Sequence, residues 1–348
     1  MSSPESLRIG LIAPPWFAVP PPGYGGIERV VSYLAEGLVA CGHDVTLFAA
    51  GGSHSSAKLV SLFEAPPSKL IGDAAIEIAH AAEAYRHHRD FDVIHDHSIG
   101  GLGCAVLCPT PVVHTIHGQI TEGAAALYSK LAPPVHLLAI SENQRSTLPR
   151  GVPAEVIHNA LDLDGSPYSE KHGDYLLFVG RMSPEKGVLD AIEIARRTRL
   201  PLLMLAKINE RPEQEYYEQM VRPRLKGVDA EFRESPPEEE KQRAYRDALV
   251  TLFPIQWPEP FGLVMIESMA TGTPVIAYNR GSVPEVIDHG RTGFVCNSIE
   301  EAVDAVAQVR TLDRAACRAQ VAAQFSAEIA VDRHVASYRR ILESCSCR

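Results

Sequence analysis

Two carboxylates stand eight residues apart in the tract Glu259-Pro260-Phe261-Gly262-Leu263-Val264-Met265-Ile266-Glu267. A carboxylate accepts hydrogen bonds from hydroxyls, so the pair suits a sugar and a ribose. A helix is predicted to begin near Gly262, which puts Glu259 before its N-terminus and Glu267 more than one turn into it. The two cannot share one helix face and would reach different parts of an extended ligand. A capping Glu and an exposed helical Glu would give the same spacing. Gly180-Arg181 follows a predicted strand and Lys186-Gly187 precedes a predicted helix. A strand-end Arg and a Lys at a helix start can clamp a diphosphate, with Lys207 beyond the next strand as a further candidate. Plain surface cations would read the same way.

Gly23-Tyr24-Gly25-Gly26 also lies between a strand and a helix. Glycines admit close backbone approach, and a helix N-terminus favours an anion. The spacing is not GxGxxG, and no acidic residue follows at the ribose position, which argues against a nicotinamide cofactor. A simple turn after the prolines is the other reading. Histidines gather at predicted strand ends: His95 and His97 around Asp96, then His114 and His117. His-x-His on a strand places both rings on one face, but no third ligand follows at recognisable spacing, so no metal is assigned. A substrate-facing rim or hydrogen-bonded structural histidines fit better.

Short apolar runs alternating with helix-period segments must position these residues. Strands are predicted at 8–13, 45–49, 92–95, 112–116, 136–140 and 155–158, with Ser141 as the N-cap of a short helix. After about residue 165 the alternation restarts, with strands at 175–179, 202–206, 249–253 and 274–277. Helices are predicted at 187–197, 213–225, 238–247 and 262–270, and the last fifty residues read as helical. This implies an α/β chain of two doubly wound, Rossmann-like domains. Their ligands would lie beyond the carboxyl ends of the strands, in a cleft where the two domains face each other. Residues 1–162 form the first domain and 163–325 the second. Residues 326–348 form a C-terminal helix packing back on the first.

Length and charge narrow the function. A chain of 348 residues exceeds one ordinary core. The net charge is −10, and residues 1–160 hold nine Lys/Arg against fourteen Asp/Glu, so neither half offers a basic face for nucleic acid or for strong membrane association. No secretory signal and no run of eighteen apolar residues is visible, which points to a cytoplasmic protein. The seven cysteines, including Cys104, Cys108, Cys345 and Cys347, read as reduced thiols rather than a zinc site.

Together these features resemble the retaining GT-B glycosyltransferases of glycosyltransferase family 4. The match rests on Gly25-Gly26, Val179-Gly180-Arg181, Lys186-Gly187, and Phe253-Pro254 through Glu259-Pro260-Phe261-Gly262-Leu263 to Glu267. Gly272-Thr273-Pro274-Val275 and Val283-Pro284-Glu285-Val286 extend it. The resemblance implies roles by position. Gly25 and Gly26 would approach the donor diphosphate, and Arg181 and Lys186 would neutralise it as it leaves. Glu259 would hold hydroxyls of the transferred sugar, and Glu267 the ribose. The amides of Phe261, Gly262 and Leu263 would face the sugar or phosphates. His117 would touch the donor sugar near the reacting carbon, and His97 would lie toward the acceptor. It further implies a nucleoside diphosphate sugar as co-substrate, UDP-linked by the commonest usage, with no cofactor and no metal. The acceptor would be a soluble small molecule or carbohydrate.

Two departures from the family pattern stand out. Ala160 occupies a linker position where the family often has Gly. The proline-rich loop Pro20-Pro21-Pro22-Gly23-Tyr24-Gly25-Gly26-Ile27-Glu28 belongs to a subset that includes antibiotic-pathway enzymes of actinobacteria, an avilamycin-type pathway among them. A non-catalytic nucleotide-sugar binding protein, a sugar-nucleotide epimerase or a glycan phosphorylase on the same scaffold are the alternatives. The transferred sugar, the acceptor and the oligomeric state are not legible in the sequence.

Overall fold

The computed structural model describes residues 6–23, 25–132, 134–208 and 210–346. The chain divides into two compact units, Met1–Ala160 with Ala327–Arg348, and Leu161–Ser326.

The first unit runs β1 (Arg8–Ile12), α1 (Gly26–Ala40), β2 (Asp44–Phe48), β3 (Lys58–Val60), α2 (Ala74–Arg86), β4 (Val93–Asp96), α3 (Leu102–Ala105), β5 (Val112–Ile116), α4 (Glu122–Leu131), β6 (Val135–Ala139), α5 (Glu142–Ser146) and β7 (Ala154–Val156). The strands lie in the order β3-β2-β1-β4-β5-β6-β7, and every pairing is parallel. Helices cover both faces, so the central strands are buried on both sides and read as continuous apolar runs. Ile9, Leu11, Val93 and Val113 pack with Val31, Leu34 and Leu38 of α1 on one face. Ile12, Ile94, Val112 and Ile116 pack with Ala81 and Ala84 of α2 on the other. Ser141 caps α5, its hydroxyl accepting from the Gln144 amide at 3.0 Å.

The second unit runs β8 (Leu176–Arg181), α6 (Val188–Thr198), β9 (Leu202–Lys207), α7 (Arg211–Tyr216), β10 (Ala230–Glu234), α8 (Glu238–Asp247), β11 (Val250–Phe253), α9 (Leu263–Ala270), β12 (Val275–Tyr278), α10 (Val283–Val286), β13 (Gly293–Cys296), α11 (Ile299–Gln308) and α12 (Arg314–Gln324). Its sheet is also parallel, ordered β10-β9-β8-β11-β12-β13. The last helix, α13 (Ala327–Ser346), packs on α1 of the first unit. Val331, Tyr338 and Ile341 join the cluster around Leu34 and Leu38.

The single helix expected over 213–225 breaks into three short pieces: α7, a wider π turn at Tyr217–Val221 and a tight 3-10 turn at Arg222–Leu225. Pro223 has no amide hydrogen to continue an α-helical ladder. Strands β3, β10 and β13 carry no clear sequence signal. The first is three residues long, the second is an edge strand with charges, and the third begins with glycine. No helix among the described residues is long and apolar enough to cross a membrane.

Candidate active site

In the second unit the catalytic candidates collect at the carboxyl ends of β8, β9 and β11. Arg181 ends β8 and is register-paired with Lys207 at the end of β9. The chain then turns through Pro184–Lys186 to Gly187, the N-cap of α6. Gly187 has φ 74°, and a Cβ there would lie 1.9 Å from the Pro254 carbonyl. Only glycine tolerates both the left-handed backbone and that contact, so it fixes the turn carrying Lys186 against the loop after β11.

That loop brings Glu259 to Lys186, Nζ to Oε2 at 2.5 Å. The Trp257 indole donates to the same oxygen at 2.9 Å, and the Lys186 ammonium lies 5.3 Å from the Trp257 ring centroid. The pair is mostly buried, with side chains 16% and 14% exposed. Arg181 donates to Glu185 at 2.9 Å and stands 3.7 Å from Glu213. Each cation therefore has a carboxylate against it, which offsets the cost of gathering positive charge in a partly buried place.

Gly262, φ 80°, is the N-cap of α9, and Leu263 is its first residue. Gly262 makes no side-chain cap, and the first amides of the helix point past it. Phe261 is buried edge-to-face on Phe325, and its carbonyl accepts from the Ser282 hydroxyl at 2.6 Å. Glu267 lies on α9, away from Glu259, and has different partners. Lys241 donates to it at 3.2 and 3.3 Å and the Tyr245 hydroxyl at 3.0 Å. The structure thus brings Lys186 and Glu259 together and keeps Glu267 apart from both. Trp257, Lys241, Tyr245 and Glu185 went unnoticed in the sequence, because nothing in residue type or spacing marks a long-range partner.

In the first unit, Gly25 precedes α1 with φ 150°, and Gly26 is the first residue of that helix. A Cβ on Gly25 would lie 2.7 Å from the Pro21 side chain. His97 and His117 share a hydrogen bond, Nδ1 to Nε2 at 2.8 Å. The His97 ring lies tilted against His95, centroids 4.1 Å apart. His95 is held by the Tyr338 hydroxyl on α13 at 2.6 Å and by Thr115 at 2.8 Å. His97 Nε2 is buried without a hydrogen-bond partner, and His97 lines a small cavity with Thr115, His158, Asn159 and His334. Desolvation holds these imidazoles neutral: His117 is lowered to about 3, His114 and His334 to about 4, and His95 and His97 well below their usual value. No group of three or more His, Cys, Asp or Glu side chains among the described residues could hold a metal ion.

The two parallel-sheet Rossmann-like units have the GT-B fold, and the matches that follow make the chain a glycosyltransferase. The profile of Glycosyltransferase Family 4 matches residues 24–164, and that of Glycosyl transferases group 1 matches residues 166–323. The chain is 28% identical over 322 residues to a phosphatidyl-myo-inositol mannosyltransferase of Mycobacterium tuberculosis, covering 83% of this chain and 82% of that one. AviGT4, a glycosyltransferase involved in avilamycin A biosynthesis, superposes with a TM-score of 0.73 at 25% identity, covering 97% of this chain and 98% of the other. The Anabaena protein HepE, solved in complex with UDP and glucose, superposes with a TM-score of 0.72 at 14% identity, covering 95% and 99%.

Proposed function

We propose that the chain transfers a sugar, with retention of anomeric configuration and without a metal, from a UDP-linked donor to a hydroxyl of a small-molecule or carbohydrate acceptor. One observation supports the reading: Lys186 pairs with Glu259 in the loop between β11 and α9, while Arg181 ends the neighbouring strand β8.

Cleavage of the anomeric bond leaves negative charge on the diphosphate. Lys186, Arg181 and the α9 amides are fixed positive groups that stabilise it as it forms. A bound diphosphate competes with Glu259 for Lys186. Glu259, still held by Trp257, then turns its acceptor capacity to sugar hydroxyls. Glu267 receives the ribose hydroxyls, with Lys241 and Tyr245 setting its orientation. Lys207, beside Arg181, adds to the phosphate side. Gly25 and Gly26 give the first unit's loop the close approach a phosphate needs. The neutral His117 donates to the sugar near the reacting carbon, and His97 serves the acceptor side.

The UDP complex of HepE and the resemblance to AviGT4 support a UDP-linked donor and an acceptor in secondary metabolism. A thermal-shift panel of nucleoside diphosphates and their sugars tests the donor. A ligand at one hundred times its Kd should add about 2.7 kcal/mol of stability, and a flat response to every UDP compound would reject the reading.

A further inference from the structure

Hydrogen-bond partners fix where the buried imidazoles of the first unit carry their protons. Tyr338, on α13, is fully buried, and its hydroxyl lies 2.6 Å from His95 Nδ1. That hydroxyl has no other hydrogen-bond partner among the described residues. A phenol with one partner donates to it, since accepting would strand its own O–H in a dry place. Nδ1 of His95 therefore accepts, and burial keeps the ring neutral. The His95 proton then sits on Nε2, which donates to Thr115 Oγ1 at 2.8 Å. His334 is settled in the same way. Its Nδ1 lies 2.7 Å from the Ala330 carbonyl, which can only accept, so the neutral ring leaves Nε2 bare.

Thr115 has accepted a proton from His95 and keeps its own O–H to give, yet no acceptor among the described residues takes it. Thr115, His97 and His334 line one cavity of about 20 Å³. That is room for a single water molecule. His97 Nε2 is buried with no hydrogen-bond partner among the described residues. A water in the cavity accepts from Thr115 and gives one hydrogen to His334 Nε2. Its second hydrogen goes to His97 Nε2 when the His97 proton is on Nδ1. In that state His97 Nδ1–H donates to His117 Nε2 at 2.8 Å, and the neutral His117 carries its own proton on Nδ1. With the two protons reversed, His97 would turn an N–H toward the water and leave the water's second O–H without an acceptor among these groups, which is the costlier arrangement.

We propose that this cavity is a site for one water molecule, and that Tyr338 is a positioning residue: through His95, Thr115 and the water it holds His117 in the tautomer that offers Nδ1–H. The proposal rests on the reading of His117 as the group that donates to the sugar. It gives α13, which carries no substrate group, a part in the transfer. The deciding substitution is Tyr338→Phe, which removes the first O–H of the chain and keeps the ring that packs against α1.

Long-range 1H–15N spectra of 15N-histidine-labelled full-length protein tell the two tautomers apart. Turnover is followed as UDP released from the donor that shifts the wild-type melting temperature most. In the wild type His95 should be the Nε2–H tautomer, and His97 and His117 the Nδ1–H tautomer. Tyr338→Phe should mix the tautomers of all three, cut turnover at least fivefold and leave UDP affinity by calorimetry within twofold. Thr115→Val breaks the chain one step later and should mix His97 and His117 in the same way, which keeps the test open if Tyr338→Phe folds poorly. A crystal structure should show one water bonded to Thr115, His97 and His334, and a dry cavity would overturn the site. A wild-type His117 protonated on Nε2, or tautomers unchanged in both variants, would overturn the positioning role. Mixed tautomers with undiminished turnover would overturn its part in the reaction. A wild type that turns over no nucleotide sugar would instead fail the proposed function, while the spectra still decide the tautomers.

Discussion

The Lys186 ammonium lies 2.5 Å from the Glu259 carboxylate, although 73 residues separate them in the chain. The pair links the loop after β11 to the turn before α6. In the proposed function, a cation for the leaving diphosphate is thus stored against a carboxylate for the sugar.

Lys186→Met should lower stability by roughly 1–3 kcal/mol, because it strands a mostly buried carboxylate. The double variant Lys186→Met/Glu259→Gln should recover much of the melting temperature but none of the turnover. Recovery of turnover in the double variant would show that Lys186 serves only to neutralise Glu259.

Glu259 and Glu267 should separate kinetically. Glu267→Ala should weaken UDP binding more than Glu259→Ala does, whereas Glu259→Ala should mainly lower turnover. Isothermal calorimetry with UDP alone, set beside initial rates, checks the order; the reverse order would mean the two carboxylates have exchanged tasks.

Turnover should persist in EDTA. Lys186, Arg181 and the α9 amides supply the positive potential in the proposal, so chelation should leave the rate of UDP release within about twofold of the untreated enzyme. Loss of turnover on chelation, restored by a divalent cation, would contradict it.

Stability should fall on mild acidification. The buried imidazoles of His95, His97, His114 and His334, and the half-buried one of His117, are held by desolvation below their unfolded value near 6.5. Below that value the unfolded chain takes up protons that the folded chain refuses. Stability present above about pH 6.5 is therefore lost as pH drops toward 4, by up to about 1.4 kcal/mol per pH unit for each such histidine. Melting curves from pH 8 to 5 should show a flat region and then a steep decline, and equal midpoints at pH 7.5 and 5 would refute it.

Arg314→Ala should be among the most damaging substitutions remote from the proposed chemistry. Its guanidinium, buried within the second unit, donates to the carbonyls of Ser169, Ala248 and Arg246 and to the Thr273 hydroxyl at 2.6–2.9 Å. Removing it leaves several acceptors dry and opens a void, at a cost of about 3–5 kcal/mol. Chemical denaturation measures the loss; a change under 1 kcal/mol would show that water replaces the guanidinium.

The amino-acid sequence by itself determined the two series of parallel strands, because strands covered on both faces must be apolar throughout and helices must carry a stripe. It also marked candidate positions at strand ends and helix starts, since Arg181, Lys186, Glu259 and Gly262 sit where the periodicity breaks. The edge strand β10 stayed hidden because Glu231, Arg233 and Glu234 give it the polarity of a loop. Partnership was decided only by the tertiary structure. Glu259 and Glu267 look alike in the chain, yet one meets Lys186 and Trp257 and the other Lys241 and Tyr245. Hydrogen bonds and ion pairs act over a few ångströms of space, and spacing along the sequence does not record which distant segments packing will bring within that range.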